Sequence, residues 1–148
     1  MAIKSLKTGT YTRNLQAGNL QILPGDYESI STVTVGAGGS SSIDFNSIPQ
    51  TFTHLQIRGI ARTTSATSGV EWLTISLNSV ATDRRHALYG DGVSAIAETG
   101  TQNWFADMPA NNTTSGIFGA VVMDILDYTN TNKNKTIRTL AGADLNGS

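Results

Sequence analysis

Apolar and polar side chains alternate with a period of two along much of the chain, the spacing that puts neighbours on opposite faces of a β-strand. Residues 29–35 place Ser31, Val33 and Val35 on one face and Ile30, Thr32 and Thr34 on the other. Gly36-Ala37-Gly38-Gly39-Ser40 reads as a turn, and residues 41–46 follow with Ile43 and Phe45 aligned, so a hairpin is predicted over 29–46. Residues 53–61 set Leu55, Ile57 and Gly59 against His54, Gln56 and Arg58. After a Ser/Thr/Gly loop, residues 71–78 set Leu73, Ile75 and Leu77 against Trp72, Thr74 and Ser76. Residues 81–116 are irregular, with a short strand expected near 102–107 and a turn-rich loop at 111–116. The segment 117–128 aligns Ile117, Gly119, Val121, Met123 and Ile125, and its β-branched content and early glycines favour strand over helix. A polar turn over 130–135 leads to a last strand at 136–140. Strands with one apolar and one polar face belong to antiparallel sheets. Roughly seven of them with frequent turns predict an all-β fold, an antiparallel β-sandwich of jelly-roll-like type over residues 26–148.

Residues 1–25 follow neither this pattern nor a helical one. Their apolar side chains are irregularly spaced and interrupted by Gly9, Gly18 and Pro24-Gly25. A segment that cannot bury a face against itself orders on another surface, so an extended N-terminal docking arm is expected, with Lys4, Leu6, Lys7, Tyr11, Arg13 and Leu15 as its contact residues.

Composition sharpens this reading. Charged residues make up 14% of the chain, against about 25% in an average globular domain, and Ser, Thr, Asn and Gly take their place. Three of the ten basic residues precede Asp26, the first acid, which leaves a body with seven basic against eleven acidic residues. Such a body offers no basic face for nucleic acid. There is no cysteine, hence no disulfide framework and no thiolate chemistry. The opening MAIKSLKTGT lacks the apolar core of a signal peptide. The longest apolar stretch, Ile117 to Met123, is about a third of the ~20 residues that span a bilayer. The expectation is a protein made in a cytoplasm, with no membrane and no nucleic-acid partner.

No Gly-x-Ser-x-Gly elbow, P-loop or dinucleotide fingerprint occurs. His54 and His86 are isolated from one another and lack metal-ligand spacing. Asp124 and Asp127 are three apart, which on a strand points them to opposite faces. No catalytic residue, metal site or cofactor is therefore expected. Two groups remain as candidates for binding. Asp83-Arg84-Arg85-His86, followed closely by Tyr89, could hold an anionic group through bidentate arginine hydrogen bonds, or its arginines could pair with Asp83 and Asp91. Trp72, on the polar face of its strand, and Trp104, in a Gln-Asn-Trp-Phe-Ala-Asp context, could stack sugar rings, or could be buried between subunits. The candidate receptor or subunit contacts are thus Trp72, Arg84, Arg85, His86, Tyr89 and Trp104. The glycosylation-type triplets at Asn111, Asn112 and Asn134 are what chance produces in a chain so rich in Asn and Thr.

Several runs resemble a module of tailed-phage structural proteins, cyanophages included: Gly25-Asp26-Tyr27-Glu28-Ser29-Ile30 through Gly39, Ser47-Ile48-Pro49-Gln50-Thr51-Phe52 through Arg58, His86-Ala87-Leu88-Tyr89-Gly90-Asp91-Gly92, and Asp124-Ile125-Leu126-Asp127-Tyr128 with Lys135-Thr136-Ile137-Arg138. The resemblance covers about residues 25–148, with Ser5-Leu6-Lys7-Thr8-Gly9-Thr10 similar to a common leader. It implies a non-enzymatic virion protein of tail-fibre, head-fibre or minor structural type, made in the bacterial host. Members of this type continue past the positions matching Gly147-Ser148 into further strands, which implies that the chain is truncated there. The partners so implied are other phage structural proteins, further copies of the chain with a trimer favoured, and a host surface glycan. The expected role is a fibre or adhesin held to the particle by its arm; the alternative is a capsid decoration or tail connector of purely structural role.

Overall fold

The computed structural model describes residues 12–16, 19–23, 27–66, 69–81 and 84–145. Within them every regular element is a β-strand, every pairing is antiparallel and no helix occurs. The chain divides into two compact units, Met1–Pro49 and Gln50–Ser148.

In the first unit β1 (Thr12–Gln16) pairs with β2 (Asn19–Leu23), opposing Arg13 to Ile22 and Leu15 to Leu20. The hairpin predicted over 29–46 is not formed. Its turn is present, with Gly39 at φ 75° donating its N–H to Gly36 O at 3.0 Å, but residues 27–49 enter no ladder. Ile30, Val33, Val35, Ile43 and Phe45 are all exposed. Alternation fixes which side chains share a face; it does not supply the surface that face must cover.

The second unit is built around β10 (Gly119–Leu126), flanked by β3 (Leu55–Ala61) and β11 (Thr136–Gly142) in the order β11-β10-β3. Val121 opposes Gly59 and Ala141, and Met123 opposes Ile57 and Thr139. A second ladder pairs β4 (Val70–Thr74) with β9 (Trp104–Pro109), and β9 also packs against β10 and β11. Burial on β10 follows the predicted face, with Gly119, Val121, Met123 and Ile125 buried. Ala106, Met108 and Val121 form the centre of the core, supported by Ala61, Leu73 and Phe105. Gly119 is where the two ladders come closest: a Cβ there would lie 2.8 Å from Met108 Sδ and 2.9 Å from Pro109 Cδ.

Two parts of the body depart from the sequence reading. The strand predicted over 71–78 breaks after Thr74, and β5 (Ser76–Leu77) turns back onto β6 (Val80–Ala81). Asn78 and Ser79 have φ of 51° and 65°, the paired positive values of a two-residue hairpin turn. The region read as irregular holds a six-residue hairpin, β7 (Arg85–Gly90) with β8 (Ala95–Gly100). Its turn is capped by Asp91, whose Oδ1 accepts the N–H of Val93 at 2.9 Å and of Ser94 at 2.7 Å.

The loop 110–117 is fastened by one side chain. Arg62 donates to the carbonyls of Thr114 (2.6 Å), Thr113 (2.9 Å), Asn111 (3.1 Å) and Ile117 (3.2 Å). The guanidinium thus gathers four carbonyls of the loop, beside the backbone bonds from Ala110 N–H to Gly69 O and from Asn111 N–H to Ser65 O. Arg62→Ala is expected to lower stability by about 2 kcal/mol, the loss typical of charge-assisted hydrogen bonds at a part-buried site. Faster amide exchange at Thr113 to Ile117, with unchanged exchange in β10, would check it.

Candidate functional site

The outer face of the β4–β9 ladder begins with Trp72, which is half-exposed and lies opposite Asp107. Strict alternation would place Trp104 on the same side as Ala106 and Met108, in the core. It does not go there. The register shifts between Leu73 and Thr74, so that Leu73 opposes Ala106 but Thr74 opposes Trp104. The extra residue, Phe105, is a β-bulge on β9, and such bulges re-aim the neighbouring side chain. Trp104 is thereby turned onto the face of Trp72 and Asp107, while Phe105 packs at the core margin. The indole N–H of Trp104 donates to Ala106 O at 2.9 Å, which fixes the ring.

The β7–β8 hairpin brings a second set of side chains. Arg85, Ala87 and Tyr89 alternate inward from β7, and Ile96, Glu98 and Gly100 from β8. Arg85 Cζ lies 4.0 Å from the centroid of the Trp104 ring, a cation–π contact. Its other side rests on Gly100, where a Cβ would come within 3.0 Å of Nη1; the absent side chain makes room for the guanidinium. Arg85 is ion-paired to Glu98, and Tyr89 OH donates to the other carboxylate oxygen of Glu98 at 3.4 Å. Tyr89 meets Trp104 edge-on with centroids 6.1 Å apart, and Trp72 is tilted 41° against Trp104 at 5.9 Å. These groups, with Val70 and Gln102, line an open cleft of about 380 Å³.

No family model matches the chain, and no curated protein or solved structure is similar to it. The chemistry of the cleft must be argued from the chain itself. Its floor is aromatic and its rim holds one cation already neutralised by a carboxylate. Arg85 Nε and Nη1 and Asp107 Oδ1 are buried yet make no hydrogen bond within the protein. Burial pushes the Asp107 carboxyl up from its ordinary value, with Glu98 adding to the rise and Trp104 and Arg85 opposing it. Tyr89 is also pushed up, first by burial and then by the Glu98 charge. An aromatic floor beside the polar side chains of Tyr89, Glu98 and Gln102 suits a ligand with one apolar face and several hydroxyls.

Of the residues anticipated from the sequence, Trp72, Arg85, Tyr89 and Trp104 converge here. Arg84 and His86 do not: both are exposed, His86 on the other side of β7 from Arg85 and Arg84 just before that strand. Nor does Arg85 pair with Asp91, which is occupied in its turn and held below the ordinary carboxylate range by the N–H groups of Ser94 and Val93. Glu98, Asp107, Val70 and Gln102 were not anticipated. Glu98 could have been found from the period-two spacing of Ile96, Glu98 and Gly100; Asp107 could not, because its face depends on the bulge. Within the arm, Lys4, Leu6, Lys7 and Tyr11 lie outside the described residues, and Arg13 and Leu15 fall on β1.

Asp124 and Asp127 sit in hydrogen-bond networks of the body. Asp124 accepts from Gln56 Nε2 at 2.7 Å and Arg138 Nη2 at 3.3 Å. Asp127, at φ 48° just past β10, is ion-paired to Lys133, and its N–H donates to His54 Nδ1 at 2.9 Å. Lys133 holds its carboxyl below the ordinary range. Asp124 and Asp127 thus serve separate networks. Among the described residues no group of three or more His, Asp or Glu is placed to hold a metal ion.

Asp107 gives a pH signature of its own. Because folding raises its pKa, its contribution to stability is greatest below the ordinary carboxylate pKa and is lost as pH rises through the raised value. Asp107→Asn is therefore expected to melt higher than the wild type at pH 7, on the order of 2 °C, with the two converging in acid. Thermal melts of both proteins across the carboxylate range would check this.

Proposed function

We propose that the chain is a non-enzymatic structural protein of a tailed-phage virion, of fibre or adhesin type, that contacts a host surface glycan through the Trp72–Trp104 cleft. The observation that carries the glycan contact is the bulge that turns Trp104 out of the core to join Trp72, Tyr89 and Arg85. An exposed Trp72 beside a Trp104 that is turned out of the core is costly to a fold and useful to a ligand. The particle assignment is supported by the resemblance of residues 25–148 to virion modules. In this reading the two ladders meeting at Met108 and Val121 are the halves of a jelly-roll-like sandwich. Residues 1–25, in which β1 and β2 fold back on one another rather than running on as a single extended segment, are the arm that anchors it beside other phage proteins, and copies associate as a trimer.

The ligand class follows from charge. Arg85 is paired with Glu98, and Asp107 adds a second carboxyl. An acidic sugar would meet no free cation here, so a neutral or amino sugar fits best. The isolated chain is expected to bind such glycans on an array, and Trp104→Ala, with folding intact, to lose that binding. Equal binding by the variant would refute the assignment of the cleft. Attachment to the particle by residues 26–148 alone would refute the anchoring role of the arm.

One observation favours the alternative of a purely structural decoration or connector protein. Ile60, Phe118 and Leu140 are exposed, with Ile60 and Leu140 at 78% and 77%, on the side of the three-stranded sheet away from its core. Burial of Trp72 and Trp104 between subunits in a whole-virion density map would select that reading over the adhesin.

A further inference from the structure

We propose that residues 29–35 of one copy add as a strand to the free edge of β11 in a second copy, so that the chain assembles by exchanging strands. This goes beyond the glycan contact and does not depend on it.

The first half of the argument is the segment. Residues 29–35, Ser-Ile-Ser-Thr-Val-Thr-Val, carry no charge, no proline and no glycine, and alternate as a strand does. They enter no ladder, and Ile30, Val33 and Val35 stand in water. An uncharged β-forming run with unspent backbone donors and acceptors gains the most from a strand to pair with.

The second half is the edge. β11 pairs only with β10 among the described strands, so its other side presents unpaired N–H and C=O groups. Natural edges are protected by shortness, proline, lysine or bulges. β11 has seven residues, an unbroken register against β10, no proline and no lysine. Its single charge, Arg138, is committed to Asp124. Thr139 and Ala141 are exposed although they oppose the buried Met123 and Val121, so the packing of β9 against β11 leaves these two positions uncovered.

The occupant is a second copy because the chain carries both parts. Segment and edge are both seven residues long, and an added strand gains affinity from main-chain hydrogen bonds and specificity from alternate side chains. Each copy gives one strand and takes one. Such an exchange is reciprocal in a two-fold dimer and head-to-tail in a closed ring.

The absence of cysteine makes the test clean. Single-cysteine variants at Thr32, Val33 or Thr34 are each mixed with a Thr139→Cys variant and oxidised. At least one pair is expected to form a mixed disulfide, and the wild type to exceed the one-chain mass of 15.6 kDa in solution. The double variant Thr32→Pro, Val33→Pro, which removes one N–H on each side of the segment, is expected to run at that single-chain mass with the melting of residues 50–148 retained. A monomeric wild type, no mixed disulfide at any of the three positions, or an oligomer that survives the prolines would overturn the proposal. So would a disulfide within one chain when both cysteines are placed in it.

Discussion

Met108→Ala is expected to cost about 3–5 kcal/mol, the upper part of the range for truncating a fully buried side chain. Met108 has no exposure at all, and it touches the two places where the ladders meet. Its sulfur fills the space that Gly119 leaves on β10, and it stands beside Ala106 and Val121 at the centre of the core. Neither neighbour can follow it inward: Gly119 has no side chain, and Val121 is held in a ladder between Gly59 and Ala141. The cavity therefore stays open. Since domains of this size are stable by only about 5–15 kcal/mol, much of that margin is lost, and denaturant unfolding should show a sharply lower midpoint with an unchanged slope. Met108→Leu, nearly equal in volume, should cost less than about 1.5 kcal/mol.

Trp104→Ala carries the second large effect, this time on binding. Trp104 touches Trp72, Tyr89 and Arg85, so its loss removes the floor of the cleft and the cation–π partner of a guanidinium with two nitrogens unspent. Glycan affinity should fall on the order of a hundredfold, equivalent to about 2.7 kcal/mol. Trp72→Ala, which removes only the outer ring, should cost about tenfold. Stability should respond less than to Met108→Ala, because the bulge already holds Trp104 outside the core. Isothermal titration with the best array ligand separates these outcomes.

What was legible in the sequence is the polarity of single strands. The buried face of β10 and the outward position of Trp72 both follow from alternation, and both are found. The β7–β8 hairpin was hidden because its polarity is inverted: Arg85 points inward and Leu88 outward, the latter 80% exposed. Its partner Ala95–Gly100 is built of Ala, Thr, Glu and Gly around one Ile, with little hydrophobic contrast to read. The orientation of Trp104 was hidden for a different reason, since one extra residue in a ladder flips every side chain beyond it and leaves no mark in composition. Residues 29–46 show the converse case, a clear pattern with no surface inside the described chain to satisfy it. The candidate site was half legible on the same grounds. Its aromatic and basic members stand out as residue types, whereas Asp107 acquires its meaning only where the β7–β8 hairpin meets the β4–β9 ladder.

The most direct measurement uses the chain's only two tryptophans, both of which line the cleft. Titrating the wild-type protein with neutral host-surface oligosaccharide while following intrinsic fluorescence should give a saturable change in emission. The change should be reduced in Trp72→Ala and absent in Trp104→Ala. Emission that stays constant across host glycans of every charge class, with the protein folded, would contradict the account.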